Sequence, residues 1–468
     1  MGDSVLMTLD ALLKAVQGTL LYTGASAKAG FVSVAIDSRK VTKASLFVAL
    51  PGSVQDGHHY ISSAFNAGAS IVLMQEDRLG TYKDIARASA QQQDGAVVVV
   101  PDTLRALQKA AKAYLDQFPA LLKIGITGSS GKTTVKELTA AILGQEKQVV
   151  MNEGNLNSET GLPLSVFSVR PEHEIGVFEM GMNRRGEISE LAAVLNPDIA
   201  LITNIGTAHI GILGSKDAIA EEKKAIFSQF NGKQIGLIPE YDAYANYLQR
   251  AVNGQVKCYG PRSTGSFGGG RTKGLDGIEF IWNRKPVAIA LPGQHNILNS
   301  LAAAALAQEA GVSETAILRG LSSVKPLFGR GEILKGPITL IRDCYNANPE
   351  SAIAAIEFCD AIEWSGRRIY VIGSMLELGT AAEQEHERVA RILAQSKADA
   401  VYLFGAETAC MKDIIARSGT KQVWHTTDME MLKGELAGSL VQGDLVLLKG
   451  SRGVALERLT DIVSNQGV

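Results

Sequence analysis

Short apolar runs and amphipathic segments alternate through the first hundred residues. Thr8 to Val16 has leucine and valine at helical spacing behind a threonine that can cap a helix, which predicts a helix there. The apolar runs that follow are short and β-like, which predicts strands. The predicted strands are Val32–Ile36, Leu46–Leu50, Ile71–Met74 and Ala96–Val100, with a helix predicted over Ile61–Ala67. The pattern predicts a small α/β domain over residues 1–100.

The same alternation continues through a longer second region. The predicted helices are Asp102–Phe118, a helix from Thr133 onward and Leu298–Ala310, and the predicted strands are Lys123–Thr127, Ile175–Phe178 and Ile199–Thr203. Strands that alternate with helices indicate a parallel sheet covered on both faces. Arg262–Asp276 is rich in glycine, serine and threonine, which predicts turns or a loop. We expect one domain over residues 101–325.

A third region begins after the Lys325-Pro326 pair. Its predicted strands are Thr339–Ile341, Arg368–Ile372, Ala400–Phe404 and Leu445–Lys449, with helices between them. This order is typical of a doubly wound, Rossmann-like domain, here over residues 326–468. The predicted fold class is therefore α/β in three domains.

Composition excludes some classes of partner. The net charge of the 468 residues is −2, which gives no general attraction to nucleic acid or to an anionic membrane. The four cysteines are scattered and form no C-x-x-C pair, as is typical of reduced thiols. No signal-peptide pattern opens the chain, and the longest apolar runs are far too short to span a bilayer. We expect a cytoplasmic protein with no transmembrane segment and no nucleic-acid partner.

The strongest motif is a glycine-rich loop between a predicted strand and a predicted helix. It comprises Thr127, Gly128, Ser129, Ser130, Gly131, Lys132, Thr133 and Thr134. Glycines let backbone N–H groups close around phosphate oxygens, and the helix N-terminus adds partial positive charge. Lys132 would reach the β- and γ-phosphates, and the Thr133 hydroxyl would bind Mg²⁺. The alternative is an ordinary glycine turn, since Ile126 breaks the strict G-x-x-x-x-G-K-T spacing.

Three further residues are candidates to complete a phosphate and metal site. Glu179 ends an apolar strand, as a metal-binding carboxylate of a P-loop protein does. His209 follows the next strand and could add a neutral imidazole ligand. Lys223 lies fourteen positions later on a predicted helix. Taken singly, each has an ordinary alternative, namely a solvated acid, a hydrogen-bonded histidine and a solvated lysine.

Together these residues resemble the Mur ligase family, and the resemblance runs nearly end to end. The T-G-x-x-G-K-T-T loop, the strand-ending glutamate and Asn204-Ile-Gly-Thr-Ala-His209 followed by a lysine match the central-domain pattern of the family. The resemblance implies that Thr133, Glu179 and His209 hold two Mg²⁺ ions. It also implies that Lys223 is carbamylated, which would give hard Mg²⁺ an anionic oxygen ligand. Nearby cations would help to keep the Lys223 amine neutral for reaction with CO₂.

Several segments resemble the ATP contacts of the family. Gly293 to Asn299 resembles the adenine-contact motif, in which the amides of Asn296 and Asn299 would share one helix face. Without the family, these two asparagines could equally be a helix cap and a polar surface residue. Phe328 to Glu332 resembles the hinge segment, in which Arg330 would approach the γ-phosphate. Asp343 to Pro349 resembles the segment that meets the ribose, with Asp343, Tyr345 and Asn346 as contacts.

The N-terminal region resembles the nucleotide-sugar domain of two branches of the family. The resemblance implies UDP-sugar contacts at Ser38, Arg39, Gly52, Asp56 and His58, and central-domain contacts to the muramoyl group at Asn155 and Asn157. The implied architecture is a UDP-sugar-binding domain, a central P-loop ATPase domain and a C-terminal Rossmann-like domain that closes over ATP and brings the amine substrate.

The implied reaction is the ATP-dependent ligation of D-alanyl-D-alanine to UDP-N-acetylmuramoyl-tripeptide through an acyl phosphate. Lys132, Glu179, His209, Lys223 and Arg330 would be its catalytic residues, with ATP, two Mg²⁺ and the Lys223 carbamate as its requirements. We expect a monomer. The alternatives are the branch that adds the third peptide residue, a folylpolyglutamate synthase, and a nucleotide-dependent switch without ligase activity.

Two positions depart from the family pattern, and one residue has no assigned role. Arg342 and Ser374 stand where aspartates are usual. These departures bear on dipeptide or closure contacts of the third domain more than on ATP chemistry. His386 fits the pattern, yet the sequence assigns it no chemistry.

Overall fold

Parallel sheets with helices on both faces organise the chain, and each sheet forms from one continuous stretch of sequence. The computed structural model describes residues 4–52, 55–419 and 421–465. Its first sheet has the strand order β1-β5-β4-β3-β2 and is parallel except for β1. The elements are α1 Leu9–Val16, β1 Thr19–Thr23, β2 Ser33–Ala35, β3 Ser45–Val48, α2 Ile61–Asn66, β4 Ala69–Gln75, α3 Leu79–Gln92 and β5 Ala96–Val100.

Strand β4 explains why this sheet is covered on both faces. Successive side chains of a strand point to opposite faces. Ile71 and Leu73 belong to one apolar cluster, whereas Val72 and Met74 belong to another. A run that is apolar at every position therefore forms a strand buried on both faces, and the strand predicted over Ile71–Met74 is confirmed.

The second sheet is wholly parallel and has the order β11-β10-β9-β6-β8-β7. A linking helix precedes it, and two helices follow a short third sheet. The elements are α4 Thr103–Leu115, β6 Leu122–Thr127, α5 Lys132–Leu143, β7 Val149–Met151, α6 Gly161–Val166, β8 Ile175–Glu179, α7 Glu187–Leu195, β9 Ile199–Ile202, α8 Ile210–Leu213, α9 Lys216–Lys224, β10 Ile235–Pro239, α10 Ala245–Gln249, β11 Gln255–Tyr259, β12 Phe267–Thr272, β13 Ile278–Trp282, β14 Lys285–Ile289, α11 His295–Glu309 and α12 Glu314–Ser323. Strand β6 lies where the strand order reverses, and in such sheets ligands bind at the carboxyl ends of the strands.

The predicted loop over Arg262–Asp276 is wrong in its second half. Phe267–Thr272 is strand β12, and it pairs antiparallel with β13, which in turn pairs with β14. This strand has no apolar alternation because its central residues are exposed and contribute backbone hydrogen bonds instead. Gly269, at φ +92, lies within a register irregularity between Phe267 and Gly270. The glycine-rich composition therefore predicted a loop where the structure has an edge strand.

The fourth sheet has the order β15-β16-β20-β17-β18-β19 and is parallel except for β15. The four strands predicted here are confirmed, and the sheet has two further edge strands. The elements are β15 Glu332–Leu334, β16 Thr339–Asp343, α13 Pro349–Ala361, β17 Arg368–Gly373, α14 Ala382–Gln395, β18 Ala400–Phe404, α15 Met411–Ala416, β19 Gln422–Thr426, α16 Met429–Ser439, β20 Leu445–Lys449 and α17 Thr460–Asn465.

Helix α4 joins the first sheet to the second. Its residues Leu107, Ala110 and Ala111 are fully buried. They belong to one apolar cluster that also contains Leu12 of α1 and Leu191 of α7. The three-domain α/β class is confirmed, while the domain limits at residues 100 and 325 stay predictions. In the described part of the chain, no helix is both long enough and apolar enough to cross a membrane.

His386, which had no role at the sequence level, is a buried structural residue. Its Nδ1 donates to the carbonyl of Ala382 at 2.7 Å, and its Nε2 accepts from the backbone N–H of Met375 at 3.0 Å. The ring therefore fixes the segment after β17 to helix α14. Burial lowers the pKa of His386 below its ordinary value of 6.5.

We predict that His386→Ala lowers the free energy of unfolding by about 1–3 kcal/mol, because the buried Met375 N–H loses its acceptor. Urea unfolding at neutral pH measures this loss. The exposed His59, replaced by alanine, is the matched control and should change stability little.

The lowered pKa of His386 also determines how the stability of the fold changes with pH. The unfolded chain takes up a proton on His386 near pH 6.5, whereas the folded chain does so only at lower pH. Stability therefore falls as the pH drops below about 6.5. The loss on acidification from pH 7.5 to 5.5 should be smaller in His386→Ala than in the parent chain. An equal loss in both would contradict this role.

Candidate active site

The glycine-rich loop joins the end of β6 to the start of α5, as predicted. Gly128 and Gly131 both have positive φ, at 150° and 79°. A Cβ on Gly128 would collide with the Thr203 hydroxyl, and one on Gly131 would lie 2.6 Å from Asn299 Oδ1. Both positions therefore require glycine. Lys132 Nζ donates to the carbonyl of Gly128 at 2.9 Å and closes the loop.

The segment after β9 holds the loop from beside it. Thr203 donates its hydroxyl proton to the Ser130 carbonyl at 2.6 Å. Asn204 accepts at its backbone carbonyl from the Ser129 N–H and at its side chain from the Ser130 N–H. Gly206 donates its N–H to the Ser129 hydroxyl. Two neighbouring parallel strands therefore fix one rigid loop at their carboxyl ends.

Glu179 is the centre of a buried hydrogen-bond network. Its side chain accepts from the Thr133 hydroxyl at 2.6 Å and from the Asn157 amide at 2.7 Å. The side-chain amide of Asn152 makes two hydrogen bonds to the backbone of Glu179. Its oxygen accepts from the Glu179 N–H, and its nitrogen donates to the Glu179 carbonyl. Lys136 is fully buried and donates to the carbonyl of Asn152 at 2.7 Å. The network fixes the carboxylate beside the threonine hydroxyl.

Oxygen ligands of this kind suit Mg²⁺. Within the described ranges no group of three or more His, Cys, Asp or Glu side chains is placed to hold a metal. Glu179 and Thr133 together give only two protein ligands, one carboxylate and one hydroxyl. Mg²⁺ is commonly bound through one or two carboxylates plus substrate phosphates and waters, so this pair fits a metal that arrives with a nucleotide.

His209 and Lys223 are the two other candidate metal ligands. His209 has φ +65, and its Nδ1 lies 2.7 Å from Glu377 Oε2, although the two atoms do not align as a hydrogen bond. Lys223 is 1% exposed. Burial lowers the pKa of Lys223 well below its ordinary value of 10.5, and the positive charge of Lys132 lowers it further. This environment favours a neutral amine.

A cavity of about 930 Å³ brings most of the predicted residues together. The predicted residues in its wall are Ser129, Ser130, Gly131, Lys132, Thr133, Thr134, Asn155, Asn157, Glu179, His209, Asn296, Asn299, Arg330, Asp343, Tyr345 and Asn346. Gly128 and Lys223 do not line it. Apart from Gly128 and Lys223, the loop, the metal candidates and the residues predicted to bind ATP therefore share one space.

Within this wall, the two asparagines of α11 differ in availability. Asn296 is 6% exposed, donates to the carbonyl of Pro292 at 2.7 Å and accepts from Asn299. Asn299 is less buried and lies beside Gly131. The amide of Asn296 thus orients its neighbour, and Asn299 is the better placed of the two to meet a ligand.

Cationic side chains hold the residues that the C-terminal region contributes to the cavity. The guanidinium of Arg330 lies over the Tyr345 ring, 4.1 Å from its centre. Asp343 forms an ion pair of 2.9 Å with the buried Lys449, which also donates to the carbonyl of Asn346. Lys449 therefore orients two of the predicted ribose contacts.

The five N-terminal candidates do not line the cavity. Ser38, Gly52, Asp56 and His58 follow β2 and β3, at the carboxyl edge of the first sheet. His58 is buried, with Nδ1 bonded to Asp56 at 2.6 Å and Nε2 accepting from the Gln75 N–H. Both of its ring nitrogens are thus used inside the domain. Arg39 is exposed and forms a bidentate pair with Asp37. The substrate contacts at this edge stay predictions.

Both departures from the family pattern have a structural account. Arg342 donates to Glu332 at 2.7 Å, and its guanidinium lies over the ring of Phe328. It therefore holds the hinge segment to β16. Ser374 is 2% exposed and packs against Gly405, so its side chain does not face the cavity.

Sequence reasoning missed several residues that complete the site. Lys136 lies four positions after Lys132 on the same helix, and this i,i+4 spacing was the available signal. Asn152 comes directly after β7, where carboxyl-end residues gather. Glu350, at the start of α13, accepts from the Thr207 hydroxyl at 2.7 Å and so joins the C-terminal region to the segment that carries His209. No local pattern signals that contact.

Comparison with known proteins agrees with this geometry. The Mur ligase family model for the catalytic domain matches residues 31–115, the Mur ligase middle domain 126–307, and the Mur ligase glutamate ligase domain 329–452. The chain is 43% identical over 466 residues to the UDP-N-acetylmuramoyl-tripeptide–D-alanyl-D-alanine ligase of Treponema pallidum, covering 99% of this chain and 100% of that protein.

Solved structures are similar over almost the whole chain. A crystal structure of MurF from Acinetobacter baumannii gives a TM-score of 0.85 at 27% identity and covers 98% of this chain and 99% of that one. A structure of MurF ligase from Thermotoga maritima in complex with ADP gives a TM-score of 0.78 at 26% identity, covering 93% and 97%.

We predict that Lys136→Met raises the Mg²⁺ concentration needed for half-maximal activity roughly ten- to hundredfold, because Asn152 and then Glu179 lose their support. Nucleotide binding measured without Mg²⁺ should change much less. Lys112→Met, which removes a surface lysine of α4, is the control. An unchanged Mg²⁺ requirement in a folded Lys136→Met variant would remove Lys136 from the network.

Proposed function

Because this chain belongs to the Mur ligase family, we propose that it ligates D-alanyl-D-alanine to UDP-N-acetylmuramoyl-tripeptide with ATP, a step of peptidoglycan precursor synthesis. The observation that carries this proposal is the cavity in which the phosphate loop, Glu179 and His209 meet Arg330 and Tyr345. The end-to-end similarity to ligases of that name supports the choice of substrates. We place the reaction in the cytoplasm, where ATP is available, and propose that the enzyme acts as a monomer.

The chemistry needs an activated carboxyl group, because hydroxide is a poor leaving group. We propose that the tripeptide carboxylate attacks the γ-phosphorus of ATP, so that an acyl phosphate forms and ADP leaves. The neutral amine of the dipeptide then attacks the acyl carbon. The new C–N bond forms, phosphate leaves, and the amine gives up a proton.

The residues of the cavity act chiefly by position and charge. Lys132 and Arg330 would neutralise charge on the transferred phosphoryl group, and the N-terminus of α5 would contribute its dipole. Mg²⁺, when bound, would supply further neutralisation of phosphate oxygens. Thr133, Glu179, His209 and the carbamate of Lys223 would hold it. Such groups work best where water is excluded. The contact of Glu350 with Thr207 joins the C-terminal region to the segment that carries His209.

Lys223 is proposed to react with CO₂. A neutral amine adds to CO₂ and releases one proton, which gives an anionic carbamate. The burial of Lys223 and the nearby Lys132 both favour the neutral amine that this addition requires. The product would add a second anionic oxygen ligand to the carboxylate of Glu179 and the hydroxyl of Thr133.

We predict that phosphate release from Mg-ATP and UDP-N-acetylmuramoyl-tripeptide requires D-alanyl-D-alanine and yields the pentapeptide by mass spectrometry. Omission of the dipeptide is the control. Release with a UDP-muramoyl-dipeptide and a diamino acid, but not with the tripeptide, would transfer the chain to the branch that adds the third residue. An absence of phosphate release with either UDP-muramoyl substrate would favour a nucleotide-dependent switch.

We predict that Lys223→Ala binds ATP about as tightly as the parent chain but loses ligation, because its metal ligand is gone. Mass spectrometry of peptides from the parent enzyme should show the carbamate mass at Lys223 when CO₂ is retained. Lys224→Ala, on the same helix and outside the cavity, is the control. Near-normal turnover of Lys223→Ala would exclude Lys223 from the mechanism.

A further inference from the structure

The amine substrate of the proposed reaction carries a carboxylate that its binding site must recognise. A dipeptide free in solution is a zwitterion, and its amine end must reach the acyl carbon. Its carboxylate then lies at the far end and needs a cation. Arginine binds a carboxylate with two parallel N–H···O bonds, which fixes its direction as well as its position.

Three cations line the cavity on the side contributed by described residues beyond 325. They are Arg330, Lys449 and Arg452. Lys449 is 2% exposed and is already engaged by Asp343 and by the carbonyl of Asn346. It supports the site from within and presents little of its ammonium to a ligand.

Arg330 faces the phosphate loop. It is close enough to Lys132 for its charge to lower the pKa of that lysine. Together with the hinge resemblance, this location assigns Arg330 to the phosphoryl group. It is therefore committed to the nucleotide and leaves the dipeptide carboxylate to another residue.

Arg452, unlike Arg330 and Lys449, has an exposed side chain. Its side chain is 56% exposed, and Nη1 is held 2.9 Å from Glu457 Oε1. Its guanidinium lies 5.6 Å from the centre of the Tyr345 ring, the same ring on which Arg330 stacks. Glu457 and Tyr345 thus orient the guanidinium, and Arg452 is one of the residues that line the cavity.

An apolar surface lies directly beside Arg452. The N–H of Leu376 donates to the Ser451 hydroxyl at 2.9 Å. The Leu376 side chain packs over Gly453, where an added Cβ would lie 2.9 Å from its Cδ1. Leu376 is 39% exposed and lines the cavity. An oriented cation beside a small apolar surface suits a carboxylate attached to a carbon that carries a methyl group.

We propose that Arg452 binds the terminal carboxylate of the incoming dipeptide, with Leu376 against its terminal methyl group. This inference rests on the proposed function and adds the substrate subsite to it. The subsite belongs to the C-terminal region, whereas the phosphate loop belongs to the central sheet. Docking of the C-terminal region would therefore carry the amine toward the acyl phosphate.

The test compares D-alanyl-D-alanine with D-alanyl-D-alaninamide, which keeps the amine and both methyl groups but lacks the carboxylate charge. The parent enzyme should have a KM for the amide that is roughly ten- to hundredfold higher than for the dipeptide. Arg452→Gln should raise the KM for the dipeptide by a similar factor and change the KM for the amide little. The KM values for ATP and for the UDP-muramoyl-tripeptide should stay within about twofold of the parent values.

Arg458→Gln is the matched control, since Arg458 is a half-exposed arginine of the same region that pairs with Glu430 and does not line the cavity. It should leave all four KM values unchanged. Arg452→Lys keeps the charge without the fork and should give an intermediate KM for the dipeptide. This variant and the discrimination by the parent enzyme still test the inference if Arg452→Gln does not fold.

Three outcomes would overturn the inference and leave the proposed function intact. The first is a parent enzyme that uses the dipeptide and the amide equally well. The second is an Arg452→Gln variant that keeps full discrimination against the amide, and the third is one whose defect lies in the KM for ATP. A parent enzyme that releases no phosphate with the dipeptide would overturn the proposed function itself, and this inference with it.

Discussion

The hydrogen bond between Thr133 and Glu179 is the interaction on which the candidate active site depends. It forms because β6 and β8 are parallel neighbours, so that the loop after one strand meets the last residue of the other. Asn152, after the next strand, then fixes the backbone of Glu179. Three adjacent carboxyl ends thus build one rigid cluster before any nucleotide arrives.

The sequence predicted the parts of the site that depend on local order along the chain. A strand, a glycine loop and a helix follow one another, so the positions of Gly128 and Lys132 could be inferred directly. Glu179 could be inferred because it ends an apolar run. The three-domain fold could be inferred for the same reason, since buried strands read as apolar runs.

Other features depend on contacts between distant segments and carry no local signal. Asn296 matched a ligand-contact motif, yet its amide is used by Pro292 and Asn299. His58 matched a substrate motif, yet both of its ring nitrogens bond within the domain. The sequence pattern marks such residues as important, but only packing distinguishes a ligand contact from a residue that holds the contact in place. Strand β12 escaped prediction because its exposed, glycine-rich centre gives no apolar pattern.

The shared core around α4 limits how this chain can be divided. The apolar face of α4 packs both against α1 in the first region and against α7 in the second. A fragment cut at residue 100 would leave α1 without this partner and would expose apolar side chains to water. The first two regions should therefore unfold as one cooperative unit, whereas the C-terminal sheet has two apolar clusters of its own. The first two regions, which would hold the nucleotide sugar and most of the ATP contacts, therefore share one core, whereas the buried residues of the C-terminal clusters all come from the C-terminal region itself.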